Sequence, residues 1–167
     1  MKDLLQKVVE DENGIRGEIH VPLFGKFTAI EGEPGVTPDY LEKCAESLLG
    51  LSEEAVEAIC RYTFEFCRDA AAGSPDAAYS EQLAEIAEPR GILGAFELSE
   101  VRISEPEDPK VPALDLLCSC PWDEENGMQI LILDGTVVYV GVYDGLNAWQ
   151  DNLEEWGNYA AGYRLND

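Results

Sequence analysis

The chain has 167 residues, of which 34 are acidic and 11 are lysine or arginine, so its formal net charge at pH 7 is −23. So negative a surface repels nucleic acid and anionic membranes at long range and attracts basic proteins. The acidic residues are spread along the chain, with 10, 11 and 13 in residues 1–50, 51–100 and 101–167. The charge therefore belongs to the whole surface, and it serves either solubility alone or the docking of a basic partner.

A length of 167 residues is that of one domain, which buries a core without disulfides or metals to hold it. The first residues lack the apolar stretch of an export signal, and no run approaches the roughly 20 apolar residues of a membrane span. Five cysteines, an odd number, are then expected to be reduced and buried. We therefore expect a cytoplasmic protein that binds neither nucleic acid nor membrane.

The N-terminal part alternates between apolar and polar residues, as strands do. This alternation predicts two strands within residues 14–33, joined by a turn at residues 22–25. Residues 1–12 are polar, and their pattern fits either a short helix or a further strand. The alternating positions of the first predicted strand are Ile15, Gly17, Ile19 and Val21.

The apolar spacing changes to that of helices after residue 36. Thr37 and Ser52 are suited to cap the first N–H groups of a helix, and Gly50 is suited to end one. The spacing predicts three helices within residues 37–88. The second has the widest apolar face and is expected to be the most buried.

Residues 98–143 predict a strand followed by a C-terminal meander of three strands. The pairs Asn126-Gly127 and Asp134-Gly135 reach positive φ easily, as tight hairpin turns require. The first strand of the meander is expected to turn one face to the core. The residues of that face are Leu114, Leu116, Cys118, Cys120 and Trp122.

Trp149, Leu153 and Trp156 recur at helical spacing, which predicts a final helix over residues 146–157 with both tryptophans in the core. The whole chain, residues 1–167, is expected to form a single α+β domain. Its antiparallel sheet would contain about five or six strands, with the helices packed on one face.

The meander carries the motif Cys-x-Cys-x-Trp-Asp-x-Glu-x-Gly, which is followed by a strand, an Asp-Gly turn and the sequence VVYVG. Over residues 15–143 the order of parts resembles a family of bacterial domains of unknown function, of the kind found among toxin and immunity loci. The resemblance implies a cytosolic α+β domain and brings no activity with it. Asn126 stands where many relatives have histidine, which weakens a metal or acid–base role for this turn. The positions that carry the resemblance are Cys120, Trp122, Asp123, Glu125, Gly127, Asp134, Gly135 and Gly141.

The turn formed by Trp122, Asp123, Glu124 and Glu125 has a functional and a structural interpretation. Clustered carboxylates bind cations or act as acid and base. Acidic residues also fill turns because they accept hydrogen bonds from nearby backbone N–H groups, and a tryptophan holds such a turn to the core. The spacing does not match a calcium loop, which needs glycine at its sixth position, and this favours the structural interpretation.

Neither the cysteines nor His20, the only histidine, gives a catalytic or metal signature. Cys118 and Cys120 share a strand face, but they lack C-x-x-C spacing and a second pair, so buried thiols are expected. The chain has no nucleophile elbow, phosphate loop, dinucleotide fingerprint or zinc-protease motif. We therefore predict no enzymatic activity, no catalytic residue, no metal ligand and no cofactor.

Tyr159 and Tyr163 lie near the C-terminus, in a segment rich in aromatic residues. Tyrosine and tryptophan dominate the hot spots of protein interfaces, so these two residues are candidates for partner binding. They are equally consistent with packing on the sheet, and the sequence leaves both interpretations open.

The functional hypothesis is a non-enzymatic, acidic protein-binding domain, immunity-like, that occludes a basic partner such as a toxin nuclease domain. Its candidate contact residues are Trp122, Asp123, Glu124, Glu125, Tyr159 and Tyr163. The alternative is a metal-binding or hydrolytic protein that uses the turn of Asp123–Glu125 with Cys118 and Cys120. A third hypothesis is a homo-oligomer that pairs through an exposed strand edge.

Overall fold

The computed structural model describes residues 4–165, which form one seven-stranded sheet whose spatial order follows the chain. The strands are β1 (Leu5–Asp11), β2 (Gly14–Val21), β3 (Lys26–Gly32), β4 (Glu97–Ile103), β5 (Ala113–Ser119), β6 (Met128–Leu133) and β7 (Thr136–Val142). The α-helices of the described residues are α1 (Pro38–Leu49), α2 (Glu53–Gly73) and α3 (Ala78–Ala84). Short 3-10 helices occur at Pro22–Phe24, Pro89–Gly94, Leu153–Glu155 and Tyr159–Ala161.

The predicted α+β class is confirmed, and the predicted sheet is corrected on two points. It has seven strands instead of five or six, and it is not antiparallel throughout, because β3 and β4 run parallel. A parallel pair needs a long crossover between its strands, and the three helices supply it. Ile30 of β3 consequently lies beside Val101 of β4 at the centre of the sheet.

The additional strand is β1, which pairs antiparallel with β2 at the edge of the sheet. The pairing contains a bulge between Gln6 and Val9, and Lys7 has a positive φ of 54°. All but one of its seven side chains are exposed, so no apolar alternation marks this strand in the sequence. Pairing with β2 decides its conformation.

Helices α1 and α2 begin at the capping residues that the sequence indicates. The Thr37 side chain accepts a hydrogen bond from the Tyr40 N–H (3.1 Å), and the Ser52 side chain accepts one from the Ala55 N–H (3.1 Å). Each cap satisfies one of the N–H groups left unpaired at a helix start, which stabilises the helix by roughly 1 kcal/mol. Pro38 occupies the first turn of α1, where its missing N–H costs nothing.

The main core lies between the helices and one face of the sheet, hereafter the helix face. Helix α2 buries a long apolar stripe there, as its wide apolar face predicts. The strand residues of this core include Ile19, Ile30, Leu98, Val101, Leu116 and Ile130. The opposite side of the sheet, hereafter the open face, carries most of the polar residues of β2 to β5.

The predicted helix over residues 146–157 is wrong. This segment is irregular apart from the 3-10 turn at Leu153–Glu155. The Asn147 side chain accepts a hydrogen bond from the Trp149 N–H (2.8 Å), and Asn152 has a φ of 69°. Such local side-chain hydrogen bonds and left-handed residues compete with the backbone hydrogen bonds of a helix. In this segment they outweigh the helical preference indicated by the apolar spacing.

The irregular segment packs on the open face of the sheet, where Leu131 and Tyr139 are buried beneath it. Its own buried residues are Leu146, Ala148 and Leu153. Trp149 is half-buried and Trp156 is 40% exposed, so the expectation that both tryptophans belong to the core is wrong for Trp156. The C-terminal segment thus covers the open face of β6 and β7.

Candidate functional site

The predicted turn is held to the core by Trp122, which is only 7% exposed. Its ring lies edge-on to Phe66 of α2 at 6.1 Å and to Phe96 at 6.3 Å, measured between ring centroids. Burial on this scale removes most of the side chain from any surface. Trp122 is therefore a core residue and not a contact residue for a partner.

The Asp123 carboxylate has a structural role within the same turn. Its Oδ1 accepts hydrogen bonds from the backbone N–H of Asn126 (3.0 Å) and from the Asn126 side chain (3.2 Å). The Gly127 N–H also donates to the Asp123 carbonyl (2.9 Å), which closes the turn. Glu124 and Glu125 are exposed and remain the only members of the predicted set here that face solvent.

The geometry gives no support to a metal site at this turn. Residues 4–165 contain no group of three or more histidine, cysteine, aspartate or glutamate side chains that could hold a metal ion. Cys118 and Cys120 are both buried, and burial raises their pKa values, that of Cys120 to about 12. A thiol with so high a pKa is protonated at neutral pH and is a poor ligand or nucleophile.

Tyr159 lies inside the protein and is 4% exposed. Its ring stacks on Phe66 at 5.1 Å, and its hydroxyl donates a hydrogen bond to Oδ2 of the buried Asp69 (2.8 Å). Tyr163 is 40% exposed and contacts the edge of the Tyr159 ring at 5.4 Å. Of the two predicted contact tyrosines, Tyr163 alone has an exposed ring, and Tyr159 is an internal anchor.

A concavity, hereafter the open-face cleft, lies on the open face and has a volume of about 610 Å³. Strands β2 to β5 form its floor, and residues 143–148 form one wall. Its polar lining consists chiefly of Arg16, Glu31, Arg102, Asp115, Tyr143 and Asn147. Sites that bind ligands are typically concave and combine a few polar groups with shifted pKa values.

Two carboxyl groups meet at this cleft. A hydrogen bond with Glu100 raises the pKa of Glu31, and burial adds to the effect. The two side chains share the open face, because Ala29 pairs with Glu100 and Glu31 pairs with Arg102 between β3 and β4. Arg102 lies beside this pair, with Nη2 at 3.4 Å from Glu100 and Nη1 donating to the Tyr143 hydroxyl at 3.2 Å.

Asp115 is the third carboxyl group of the cleft. Burial raises its pKa to about 6, although a hydrogen bond from Gln129 (2.9 Å) and the charge of Arg102 act in the opposite direction. Asp115 consequently changes charge close to neutral pH. Together with Glu31 and Glu100 it places three carboxyl groups near the guanidinium of Arg102, and the guanidinium of Arg16 also acts on Glu31.

The wall of the cleft is held in place by Gln129 of β6, which is fully buried. Its side chain donates to the Leu146 carbonyl (2.9 Å) and accepts from the Leu146 N–H (3.2 Å). None of these cleft residues was among the predicted contact residues. The available signal was a polar residue inside an apolar strand, as at Asp115 and Gln129.

His20 lies on the same open face, away from the carboxyl groups. It is exposed, and its ring packs against Phe27 on the neighbouring strand at 4.9 Å between centroids. Cross-strand pairs of this kind stabilise a sheet.

Comparison with known families gives one match, since the profile of a domain of unknown function, DUF6985, matches residues 5–148. The chain belongs to the DUF6985 family. No curated protein and no solved structure matches the chain. The DUF6985 domain contains the whole open-face cleft, whereas residues 149–165 of the irregular C-terminal segment lie beyond the match. No helix of the described residues is long and apolar enough to cross a membrane.

Proposed function

We propose that this protein is a non-enzymatic binding domain whose open-face cleft receives a basic side chain of a partner protein. The observation that carries the proposal is the grouping of Glu31, Glu100 and Asp115 on the open face. Arg102 lies among these carboxyl groups, and Arg16 acts on Glu31 from β2. The raised pKa values of Glu31 and Asp115 would fall again beside a further cation, because a nearby positive charge favours the ionised carboxylate. A lysine or arginine side chain entering the cleft supplies that cation.

The net charge of −23 supports the same proposal at longer range. A strongly negative protein accelerates the approach of a positive partner and disfavours acidic competitors. The ion pairs of this chain engage few of its carboxylates, because 34 acidic residues face 11 lysines and arginines. Most of the negative surface thus stays available for a partner.

The finer proposal is an immunity-like role in the bacterial cytoplasm. Its support is the resemblance, on the hairpin motif from Cys118 to Gly127, to domains encoded among toxin and immunity loci. A nuclease toxin binds phosphates through a basic surface. An acidic domain seated on that surface would exclude the nucleic acid and so inhibit the enzyme without chemistry of its own.

The test starts with retention of proteins from the source lysate on the immobilised chain, followed by purification of each retained basic protein. Its affinity is then compared between the wild type and a cleft variant, Glu31→Gln with Asp115→Asn. A matched control, Asp76→Asn with Glu81→Gln, removes the same charge from exposed positions on the helix side. We expect the cleft variant to bind roughly tenfold or more weakly and the control to change by about twofold or less.

Two results would contradict the proposal. Equal losses for the cleft variant and the control would mean that only the overall charge attracts the partner. Retention of no basic protein at low salt would mean that the acidic surface serves solubility. Each affinity is measured at two salt concentrations, because exposed charges are screened over about 10 Å at 0.1 M salt.

A further inference from the structure

Strand β7 lies at one edge of the sheet, and an edge strand ordinarily leaves a row of N–H and C=O groups unpaired. Here the side chain of Asn158 pairs with that edge. Its Oδ1 accepts a hydrogen bond from the Val140 N–H (3.3 Å), and its Nδ2 donates one to the Val138 carbonyl (2.9 Å). These are the two bonds that one residue of a parallel neighbouring strand would make.

The next residue fills a pocket between β7 and α2. Tyr159 stacks on Phe66 and donates to Asp69, and the Leu165 N–H donates to the same Asp69 oxygen (2.8 Å). Asp69 is buried, so it needs these two donors. The pocket therefore combines an aromatic wall with a polar group at a fixed position.

The backbone of β7 is also shaped to this segment. A Cβ atom at Gly141 would overlap the carbonyl oxygen of Gly157, which rests directly against the strand. Glycine at position 141 is therefore required for the segment to lie where it does. We call the β7 edge with the pocket at Phe66 and Asp69 the edge seat.

Residues 158–165 are attached to the rest of the chain in a way that permits their exchange between two copies of the protein. Residues 154–157 before them are exposed, and the segment lies beyond the DUF6985 match. It contacts the edge seat and α2 through the side chains of Asn158 and Tyr159, the Leu165 N–H bond to Asp69 and an ion pair between Arg164 and Glu65 (3.2 Å). No strand ladder joins it to β7. A segment held in this way can leave its seat without unpairing the sheet.

We propose that the edge seat is a docking site for a segment in which asparagine is followed by tyrosine, and that it accepts residues 158–165 of a second copy of this chain. Every copy of the chain has the same residues 158–165, which fit the edge seat. Reciprocal exchange of identical elements is a low-cost route to a dimer. Peptide docking on a sheet edge combines main-chain bonds with side-chain pockets, as the edge seat does.

The opposite edge is less suited to pairing between copies. Strand β1 has a bulge after Gln6 and carries Lys7 at a positive φ. Bulges and lysines are features that discourage strand addition at an edge. The edge seat is therefore the better candidate for a homo-oligomer contact. Salt should favour association of two copies, because it screens the repulsion between chains that each carry a charge of −23.

The test mixes two full-length variants. In the first, Asn158→Ala with Tyr159→Ala leaves the seat intact but removes the segment's anchors. In the second, Gly141→Val expels an intact segment from a blocked seat. We expect each alone to be monomeric and an equimolar mixture at about 100 µM and 0.5 M salt to form a heterodimer in roughly half or more of the chains, measured by light scattering and native mass spectrometry.

Protection of the Val140 amide against hydrogen exchange provides an independent readout, which should be lost in the first variant and restored in the mixture. A mixture of two folded variants that remains monomeric would overturn the proposal. If circular dichroism shows that the first variant does not fold, the wild type is equilibrated at about 1 mM and 0.5 M salt instead. A dimer that disappears with Gly141→Val supports the proposal, and a wild type that stays monomeric overturns it.

Discussion

The side-chain amide of Gln129 pairs with both backbone polar groups of Leu146, at 2.9 Å to its carbonyl and 3.2 Å to its N–H. Asn158 does the same at the β7 edge with Val140 and Val138. Two buried amides thus fasten the irregular C-terminal segment, one to the open face and the other to the edge of the sheet. A segment without secondary structure obtains its backbone partners from side chains.

Replacement Gln129→Ala should therefore be strongly destabilising. It leaves the N–H and carbonyl of Leu146 without partners and removes the donor to Asp115. We expect the free energy of unfolding, measured by urea titration, to fall by about 2–4 kcal/mol. Gln82→Ala, at an exposed position of α3, is the control and should change it by less than about 0.5 kcal/mol. Equal effects of the two changes would contradict the structural role of Gln129.

The raised pKa of Asp115 makes stability depend on pH. Its pKa is about 6 in the folded chain against an ordinary value of 3.8. Between these pH values the folded chain binds a proton that the unfolded chain has lost, so this group's stabilising contribution is complete below about pH 4 and is lost as the pH rises through about 6. Two charged groups also act on Asp115: Arg102 lowers its pKa and Glu100 raises it.

Asp115→Asn removes this pH dependence. The variant should gain about 2–3 kcal/mol in unfolding free energy relative to the wild type as the pH rises from about 4 to 7. Urea titrations at several pH values measure the difference. The exposed control Asp76→Asn should show none. A variant whose difference from the wild type is constant over this range would show that the Asp115 carboxyl titrates normally.

Tyr159→Phe should keep the aromatic stack on Phe66 but remove one of the two donors to the buried Asp69. We expect a loss of about 1–3 kcal/mol in unfolding free energy, because a buried carboxylate oxygen loses a partner. Tyr163→Phe removes a hydroxyl from an exposed side chain and should cost less than about 0.5 kcal/mol. Thermal unfolding followed by circular dichroism compares the two, and a reversed order would be inconsistent with an internal Tyr159.

The two glycines of the meander turns should respond differently to alanine. Both have positive φ, 77° at Gly127 and 80° at Gly135. A Cβ at Gly127 would lie 2.8 Å from the Cys118 carbonyl oxygen, whereas one at Gly135 meets nothing within 4 Å. Gly135→Ala should therefore cost only the backbone strain, about 1 kcal/mol, and Gly127→Ala clearly more. Urea titration of both variants tests this order, and similar costs would mean that the hairpin relaxes around the new methyl group.

Short-range signals account for the parts of the fold that the sequence predicts well. A cap such as Thr37 or Ser52 acts within three residues, and a turn pair such as Asp134-Gly135 acts between two adjacent strands. For the candidate contact residues, the structure shows where each side chain lies. In the predicted turn, Trp122 is buried and Asp123 accepts hydrogen bonds that close the turn. In the C-terminal segment, Tyr159 is an internal anchor.

The sequence by itself determined the α+β class, the starts of the first two helices, the Asp134-Gly135 hairpin turn and the acidic surface, since each follows from composition or from neighbouring residues. The tight hairpin turn predicted at Asn126-Gly127 is wrong, because residues 120–127 form a longer connection between β5 and β6. The tertiary structure alone decided that β1 is a strand, that β3 and β4 are parallel, and that residues 146–157 are not helical. It also brought Glu31, Glu100 and Asp115 together on one face. The physical reason is that these features depend on pairing between residues far apart in the chain, where strand partners and side-chain amides outweigh the local preference of each segment.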